Sequence, residues 1–366
     1  MLQEISARVA ANERIDRHHA AWLWDHADDD ALITLASQVR ARFHPPRVAT
    51  WLVMSIVNYT NVCVAKCDYC AFYRLPDAPD GYLYSFEQLA ERIDRTIALG
   101  GSLVGFNGGF HPGLRIEDYE SLFRRIREVY GDRIEFYGLT IAEHMFICKV
   151  SKISYLEGAR RLRAAGLRWI TGGGAEILDD AFRRRHSPLK YKVEDYYDAQ
   201  QAVLDAGCGS TATMVIGFDE TLDERLNHLE RLRRFQDDND GALASFLCWT
   251  YKPWNTPLGG GEITANEYLR WLAICRIYLD NIVHIRTSVL TRNADALRGL
   301  RYGADDFDLP TEDEVTEKAG ATISLDFERI LDTARAEGFE PVRRGPWPVR
   351  PSPARPVASA DAEASP

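Results

Sequence analysis

Short apolar segments alternate with amphipathic segments along most of the chain. The apolar segments are four to seven residues long and rich in Val, Ile and Leu, which is typical of buried strands. Between them apolar residues recur at helical spacing, and Ser85 with Gln88 forms a capping box before one such helix. The pattern predicts strands at 52–58, 102–106, 133–137, 168–171, 211–216, 244–249 and 283–287. It predicts helices at 31–42, 86–99, 116–130, 154–165, 193–206, 222–235 and 265–279.

Strands that alternate with helices of this length imply right-handed crossovers and a parallel sheet. We therefore expect an α/β fold, a parallel (β/α) barrel of the TIM type, either full or partial. The barrel core is expected over residues 49–290, after a helical extension at 1–48 and before a C-terminal extension at 291–343 that closes the barrel. Residues 344–366 are rich in Pro, Ala and Ser and are expected to be a disordered tail. Chemistry is expected in the loops that follow the strands.

Composition narrows the class of partner. The chain has 44 Lys and Arg against 54 Asp and Glu, a net charge of −10, and no block of cations. Binding to nucleic-acid phosphates requires clustered cations, so we expect a small-molecule ligand. The N-terminal segment is charged throughout, and no stretch reaches the roughly 18 apolar residues that a membrane helix needs. We therefore expect a cytoplasmic protein that binds neither nucleic acid nor membrane.

Three of the seven cysteines lie within eight positions. Cys63, Cys67 and Cys70 follow the first predicted strand, which puts them at the expected barrel mouth. Three thiolates bind three irons of a [4Fe–4S] cluster and leave the fourth iron without a protein ligand. That iron can accept the amino and carboxylate groups of a methionine moiety, whose sulfonium then receives an electron. The scattered cysteines are expected to be small buried residues: Cys148, Cys208, Cys248 and Cys275.

Other interpretations of the clustered cysteines are a zinc site, a redox dithiol and structural thiols. Structural zinc takes four ligands, usually from two cysteine pairs, and the sequence has no second pair. A CxxC dithiol leaves Cys63 unexplained. Tyr69, which directly precedes the third cysteine, and the strand before the loop both favour the cluster.

The sequence of residues 58–74, NYTNVCVAKCDYCAFYR, resembles the cluster loop of the radical S-adenosylmethionine enzymes of menaquinone and deazaflavin biosynthesis. The similarity runs from about residue 10 to residue 344 and leaves out only the tail. It includes NGGFHP (107–112), AEHMFICKVS (142–151), GGGAEIL (172–178), SPLK (187–190) and TATMVIGFDET (211–221). SPLK and AEHMFICKVS favour the cyclic dehypoxanthine futalosine synthase family over the aminofutalosine synthase family.

The resemblance implies residues that bind S-adenosylmethionine. Gly108 and Gly109 stand where a glycine pair receives the methionine amino group, here through backbone groups because Phe110 replaces the usual glutamate. A tight turn is the alternative interpretation of this pair. Glu176 stands where a carboxylate binds the ribose hydroxyls, with a helix cap as its alternative.

The resemblance also implies a binding site for the adenine ring. Ile216 and Gly217 match the fifth-strand segment whose backbone groups meet adenine. Tyr69 and Phe72 are expected to line the same ring, or otherwise to pack in the core.

The resemblance also implies that polar residues after the third strand face the substrate, and His144 and Glu143 follow that strand. A lone histidine is also commonly a structural residue. We expect the proton acceptor of the reaction to be Asp219, Glu176 or His144, because general-base chemistry is needed once an acidic radical or a cation forms.

The reaction itself follows from the resemblance. A 5′-deoxyadenosyl radical removes the 4′ hydrogen from the ribose of dehypoxanthine futalosine, and the sugar radical attacks the attached aromatic ring. One electron and one proton leave, and the spirocyclic product lies on the route to menaquinone. An electron donor such as flavodoxin or ferredoxin is implied. Alignment of the reactants inside a dry barrel is the expected catalytic contribution.

Some residues depart from the family pattern, namely Asn107, Lys252, Trp254 and residues 292–317. These departures leave open a paralogue, aminofutalosine synthase-like or a natural-product enzyme, that forms a carbon–carbon bond in another nucleoside-like substrate. A non-catalytic iron–sulfur electron carrier is a further hypothesis. It is disfavoured because a carrier uses a fully ligated cluster and has no need of Glu176 or the glycine pair.

Overall fold

The structure, a computed structural model, describes residues 1–349. The strands are β1 (Val48–Val57), β2 (Leu103–Phe106), β3 (Glu135–Thr140), β4 (Trp169–Thr171), β5 (Ser210–Ile216), β6 (Leu243–Thr250), β7 (His284–Thr287), β8 (Asp306–Asp313) and β9 (Glu340–Arg343). The helices are α1 (Leu2–Ala10), α2 (Arg17–His26), α3 (Asp29–Arg40), α4 (Phe86–Ala98), α5 (Ile116–Tyr130), α6 (Ile141–Ser151), α7 (Tyr155–Ala164), α8 (Asp180–His186), α9 (Val193–Asp205), α10 (Leu222–Asp238), α11 (Ala265–Tyr278), α12 (Val289–Arg292), α13 (Glu314–Lys318) and α14 (Phe327–Ala336). A 3-10 helix spans Asn293–Leu300.

Eight of these strands run parallel in the order β4-β3-β2-β1-β8-β7-β6-β5. The two ends of this sheet meet through a bridge between Trp169 and Gly209, where the Ile170 N–H donates to the Gly209 carbonyl at 3.1 Å. β9 pairs in parallel with the start of β1. The predicted α/β barrel is therefore confirmed, and the ring of strands is closed by this bridge.

The predicted helix starts follow from local capping. The Ser85 hydroxyl accepts the N–H of Gln88, and the Gln88 side chain accepts the N–H of Ser85 at 2.9 Å, so the capping box of α4 is confirmed. Asp28 caps α3 by accepting the Ala31 N–H at 2.8 Å. Short polar side chains thus satisfy backbone donors that would otherwise have no partner at the helix start.

β8 lies between β1 and β7 and was not among the predicted strands. It carries Asp306, Asp308 and Pro310, and charged residues and proline argue against a central strand in a sequence pattern. The structure neutralises these charges, because Arg286 Nε lies 2.9 Å and Arg344 Nη2 lies 2.8 Å from the same Asp306 oxygen. The segment 291–343 therefore contributes a barrel strand.

α6 is a second element that the pattern did not predict. The third strand was expected to end at 137, but β3 continues to Thr140 and α6 begins at the next residue. Its side chains are buried on nearly all sides. A helix buried all round has no polar stripe, so it carries no amphipathic signal.

The N-terminal helices pack on the outside of the barrel against α10 and α11. Trp24 of α2 meets Trp271 of α11 edge to face, with ring centroids 5.6 Å apart. Arg270 of α11 forms an ion pair with Asp29 of α3 at 2.7 Å. Within residues 1–349 no helix combines the length and apolar character needed to cross a bilayer.

The start of the predicted disordered tail has defined contacts in the structure. Arg344 pairs with Asp306, and the ring of Trp347 stacks on His284 with centroids 5.0 Å apart. These contacts lie at the N-terminal ends of the strands, opposite the expected active site. The rest of the predicted tail, residues 350–366, lies outside the described residues.

Candidate active site

The loop between β1 and α4 carries three thiols at the C-terminal mouth of the barrel. A bridge between Val62 and Arg74 closes the loop, and the Cys63 N–H donates to the Arg74 carbonyl at 2.8 Å. The Cys70 N–H donates to the Cys67 carbonyl at 3.2 Å, which makes a tight turn. All three cysteines are free thiols that line one cavity of about 330 Å³.

The three thiols do not form a compact trio of ligand atoms among the described residues. Among the described residues one trio of potential ligand atoms lies within 4.8 Å of one another, and it consists of His44, His284 and Asp305 at the other end of the barrel. At least one pair of the cysteine sulfurs is therefore more than 4.8 Å apart, a separation that a cubane allows because its thiolates bind different irons. Asp305 is already paired with Arg276 at 3.0 Å, so the trio acts as a hydrogen-bonded network.

Burial holds the Cys67 and Cys70 thiols in their neutral form. Burial raises the pKa of the Cys67 thiol to about 12 and also raises the pKa of Cys70. Metal ligation requires thiolates, so iron has to displace these protons and supply the compensating positive charge. The donor set thus fits a cationic metal cluster, which would compensate the charge of the buried thiolates.

The glycine pair after β2 packs directly against the cysteine loop. A Cβ on Gly109 would lie 2.2 Å from the Val62 carbonyl oxygen, and one on Gly108 would lie 2.5 Å from the Tyr59 ring. The Gly109 N–H donates to the Thr60 carbonyl at 3.0 Å. Only glycine allows this approach, and the pair lines the cavity together with the three cysteines.

Glu176 faces the same cavity from the loop after β4 and forms a buried ion pair. The Lys190 ammonium lies 3.2 Å from each carboxylate oxygen, and Arg183 lies at 3.8 Å. Burial works to lower the pKa of Lys190, but Glu176, Cys67 and Tyr191 together outweigh it and leave that pKa above its ordinary value. Lys190 closes the SPLK segment, which sequence reasoning used only as a family signature.

Aromatic rings form one side of the cavity. Tyr69 packs on Phe218 with ring centroids 5.2 Å apart, and Phe218 packs on Tyr251 at 4.6 Å. Phe72 is buried and also lines the cavity. These rings offer a flat apolar wall to a planar ligand group. The place of Phe218 in the cavity wall was not predicted, because it depends on the turn after β5 and not on a sequence motif.

At the end of β5 the structure shows where the side chains point, and the expected contact of the Ile216 and Gly217 backbone with adenine stays a prediction. The Ile216 side chain is buried in the core between the barrel and its helices, and Val215 lines the cavity instead. Successive strand residues point to opposite faces, so both cannot face inward. The Gly217 N–H donates to the Glu220 carboxylate at 2.8 Å, and Gly217 is not part of the cavity wall.

Two of the three predicted proton acceptors lie outside the cavity. His144 is fully buried between α6 and α7, where its Nε2 lies 3.0 Å from the Tyr155 carbonyl oxygen, and burial lowers its pKa to about 4. The side chain of Asp219 is more than half exposed and lies 2.7 Å from His186. On α6, neighbouring residues point to different sides of the helix, so His144 need not line the cavity even where Glu143 does. Glu176 is the predicted acceptor that the cavity wall contains.

The neighbour of His144, Glu143, does line the cavity. Its carboxylate accepts the Gly108 N–H at 2.7 Å and the Tyr59 hydroxyl at 2.8 Å. The capping-box pattern TIAE at residues 140–143 is the sequence signal that could have identified this side chain as fixed at a strand end.

His186 links the cysteine loop to the turn after β5. Its Nδ1 lies 3.0 Å from Asp68, which stands next to Cys67, and its Nε2 lies 2.7 Å from Asp219. The Asp68 N–H also donates to the His186 carbonyl at 3.2 Å. The imidazole is buried, so this contact fixes the loop between its second and third cysteines.

The remaining cavity wall is polar in places. Asn107 and Lys252 both line it, and Lys252 pairs with Glu262 at 2.7 Å. Trp254 does not line it and is 55% exposed on the outer surface. Some polar atoms of wall residues have no hydrogen-bond partner in the described structure, namely Tyr137 Oη, Ser245 Oγ, Thr250 Oγ1 and Asp308 Oδ1. Such groups suit a ligand that carries hydroxyls.

A parallel barrel whose mouth presents three thiols, a glycine pair and a buried carboxylate to one cavity defines the class of radical S-adenosylmethionine barrels. Comparison with known families agrees. The sequence model of the radical SAM superfamily matches residues 57–232, and the model of the CofH/MqnC C-terminal region matches residues 239–354. The chain belongs to the cyclic dehypoxanthine futalosine synthase family within this superfamily.

The relatives cover nearly the whole chain. The cyclic dehypoxanthine futalosine synthase of Streptomyces coelicolor is 37% identical over 350 residues, which are 94% of this chain and 87% of that protein. The enzyme of the same name from Halalkalibacterium halodurans is 35% identical over 93% of this chain and 92% of that protein. The crystal structure of methylornithine synthase (PylB) superimposes with a TM-score of 0.70 at 14% identity, covering 93% of this chain and 97% of that one.

Proposed function

We propose that the protein cyclises dehypoxanthine futalosine by radical chemistry that depends on a [4Fe–4S] cluster and S-adenosylmethionine. One observation carries the proposal: Cys63, Cys67, Cys70 and Glu176 open onto the same cavity as the glycine pair. The name of the relatives, which cover most of the chain, supports the choice of substrate.

Each side of the cavity has a proposed part in binding the cofactors. The three thiolates would hold three irons and leave the fourth open to a ligand. When bound and reduced, these cofactors supply a 5′-deoxyadenosyl radical. Gly108 and Gly109 would receive the methionine end through backbone groups, and Glu176, fixed by Lys190, would accept from the ribose hydroxyls.

The aromatic wall of Tyr69, Phe72 and Phe218 would cover the adenine ring and exclude water. A dry, close-fitting wall matters because a carbon radical takes hydrogen from whichever donor lies nearest. Within residues 1–349 the hydroxyls of Tyr137 and Ser245 have no hydrogen-bond partner, which supports a substrate that carries its own hydroxyls, as a ribose does. Alignment of the ribose 4′ hydrogen in this space is the proposed catalytic contribution.

The proton released on cyclisation needs an acceptor in contact with the ligand. Of the predicted acceptors, Glu176 lines the cavity and is therefore retained, and His144 and Asp219 are not. A flavodoxin or ferredoxin in the cytoplasm is the proposed source of the reducing electron, and the electron that cyclisation releases would pass to the oxidised cluster.

A second candidate function is carbon–carbon bond formation on a different nucleoside-like substrate. Asn107 and Lys252 favour it, because both depart from the family pattern and both stand in the cavity wall. A cationic Lys252 beside the substrate would change which ligand fits, even though Glu262 balances its charge.

The test is anaerobic incubation of the reconstituted, reduced protein with S-adenosylmethionine and dehypoxanthine futalosine. We expect 5′-deoxyadenosine together with a product that is lighter than the substrate by two hydrogen atoms, detected by mass spectrometry. Cleavage of the cofactor without this product would favour the second candidate. Cluster-loaded protein that forms no 5′-deoxyadenosine would contradict radical chemistry altogether.

Matched cysteine variants complete this test. Cys67→Ala removes a buried cavity thiol, and we expect it to lose bound iron and both products. Cys208→Ala removes an equally buried thiol outside the cavity, and we expect iron content and products to match the wild-type protein. Equal iron loss in the two variants would contradict the assignment of the cluster to the loop.

A further inference from the structure

Glu143 is a buried acidic group in the cavity wall that faces no cation. Its side chain is 3% exposed, and no Lys, Arg or His nitrogen of the described chain lies within 4.0 Å of its carboxylate. Two other acids of the wall are balanced, because Glu176 faces Lys190 and Asp308 faces Arg286, whereas Asp313 is buried near α13 and is hydrogen-bonded to the Thr316 hydroxyl. A buried unpaired carboxylate is costly unless a cation arrives with the ligand.

The carboxylate is held rigidly by four donors. One oxygen accepts the Gly108 N–H at 2.7 Å and the Tyr59 hydroxyl at 2.8 Å. The other accepts the Thr140 N–H and the Thr140 hydroxyl, both at 2.8 Å. Four donors fill the acceptor capacity of the ionised form, so Glu143 acts on a ligand through its charge and through the Gly108 peptide.

We propose that Glu143 is a positioning residue for the ammonium group of S-adenosylmethionine, supplying negative charge beside the glycine pair and fixing the Gly108 peptide. The inference rests on the proposed function, because it takes the cavity to be the cofactor site. It also accounts for Phe110, which stands where a carboxylate would follow the glycines. The charge at this wall comes from α6 instead.

A purely structural role for Glu143 is the alternative, and α10 offers the matched control. Glu224 closes the same kind of capping box with Thr221, at the same helix position, and is 6% exposed. It differs in being paired with Arg185 at 2.7 Å and in lying outside the cavity wall. A substitution that removes the charge of Glu224 therefore alters a capping box but leaves the cavity wall unchanged.

The experiment compares two ligands on the cluster-loaded holoenzyme under anaerobic conditions. S-adenosylmethionine carries the ammonium group, and 5′-methylthioadenosine lacks the whole amino-acid part. Affinities are measured by calorimetry for wild type, Glu143→Gln and Glu224→Gln. We expect Glu143→Gln to lower the affinity for S-adenosylmethionine by roughly 10- to 100-fold, because it removes a charge a few ångströms from a cation.

The second ligand separates positioning from folding. The affinity of Glu143→Gln for 5′-methylthioadenosine should stay within about threefold of the wild-type value. Glu224→Gln should leave the affinity for both ligands unchanged. Equal losses for both ligands in Glu143→Gln would overturn the proposal in favour of a structural role, and so would an unchanged affinity for S-adenosylmethionine. Wild type that binds neither ligand would instead contradict the proposed function.

A measurement on the wild-type protein alone covers the case in which Glu143→Gln does not fold. Burial raises the pKa of Glu143 to about 7, whereas Tyr59 and Tyr119 beside it have raised pKa values and stay protonated. The pKa of His144, on the same helix, is lowered to about 4, so it stays neutral. The preference for S-adenosylmethionine over 5′-methylthioadenosine should therefore fall as the pH drops from 7.5 to 5.5. A constant preference would contradict the proposal.

Discussion

Three of the nine described non-glycine residues with positive φ lie next to the cavity or its cysteine loop. Glu176 has a φ of +45°, Leu139 a φ of +65° and Lys66 a φ of +51°, a region that side-chain-bearing residues rarely occupy. Glu176 lines the cavity, Leu139 precedes the bend into α6, and Lys66 precedes Cys67. Such strain persists where surrounding structure overdetermines the conformation, which is typical of ligand sites.

The ion pair between Glu176 and Lys190 gives a prediction at this scale. Lys190→Met should lower the free energy of unfolding by about 3 kcal/mol, because it leaves a buried carboxylate without its main partner. Arg183 remains 3.8 Å from Glu176 and keeps the loss toward the lower end of the range for such pairs. Anaerobic denaturant unfolding measures the change.

The double variant Glu176→Gln/Lys190→Met is the control for that prediction. It removes both charges, so we expect it to recover most of the lost stability. A double variant that is less stable than Lys190→Met would contradict the view that the pair mainly compensates charge.

At the scale of elements, the last turn of α8 holds the cysteine loop. His186 bridges Asp68 and Asp219 from a buried position. His186→Phe keeps a ring in this space, next to Phe182, but removes the hydrogen bonds. Losing a bond to a charged group destabilises the closed loop by about 1.5 kcal/mol, which should speed loss of iron to a chelator about tenfold.

Asp219→Asn separates the two halves of this link. Asp219 is exposed on the outer side, so its charge contributes little, and the inner contact between His186 and Asp68 remains. We expect iron release close to that of the wild type. Release as fast as in His186→Phe would mean that the outer contact holds the loop.

At the scale of the whole molecule, an ionic network at the N-terminal ends of the strands joins β1, β7, β8 and the segment after β9. Arg286 and Arg344 both contact Asp306, and the Thr50 hydroxyl donates to it at 2.6 Å. These hydrogen bonds and the two arginines keep the pKa of Asp306 below its usual range although burial works to raise it. The network therefore stays ionised and ties the ring together at the floor of the cavity, which Arg286 lines.

Arg344→Met should lower the free energy of unfolding by about 3 kcal/mol, because Asp306 is fully buried and would lose one of its two cations. Arg343→Met is the matched control, since its side chain is exposed and should contribute less than about 1 kcal/mol. Denaturant unfolding of the two variants measures the difference. Equal losses would contradict a specific contribution from the network.

Local patterns predicted some elements well and others not at all. α4 was predicted from Ser85 to its end because its cap and its apolar stripe both lie in one short segment. α6 and β8 were missed, because one is buried on all sides and the other carries Asp306, Asp308 and Pro310. In both cases the tertiary environment, and not the local sequence, supplies the missing partners.

By itself, the sequence determined the alternating strands and helices, the three clustered thiols and the family to which the chain belongs, because these depend on residues close together along the chain. The tertiary structure decided which side chains meet in one cavity. It joined Lys190 to Glu176, brought Glu143 to the glycine pair, and turned His144 and Ile216 away. The reason is geometric. The direction in which a side chain points depends on strand register and helix phase, and a shift of one residue turns it from the cavity to the core.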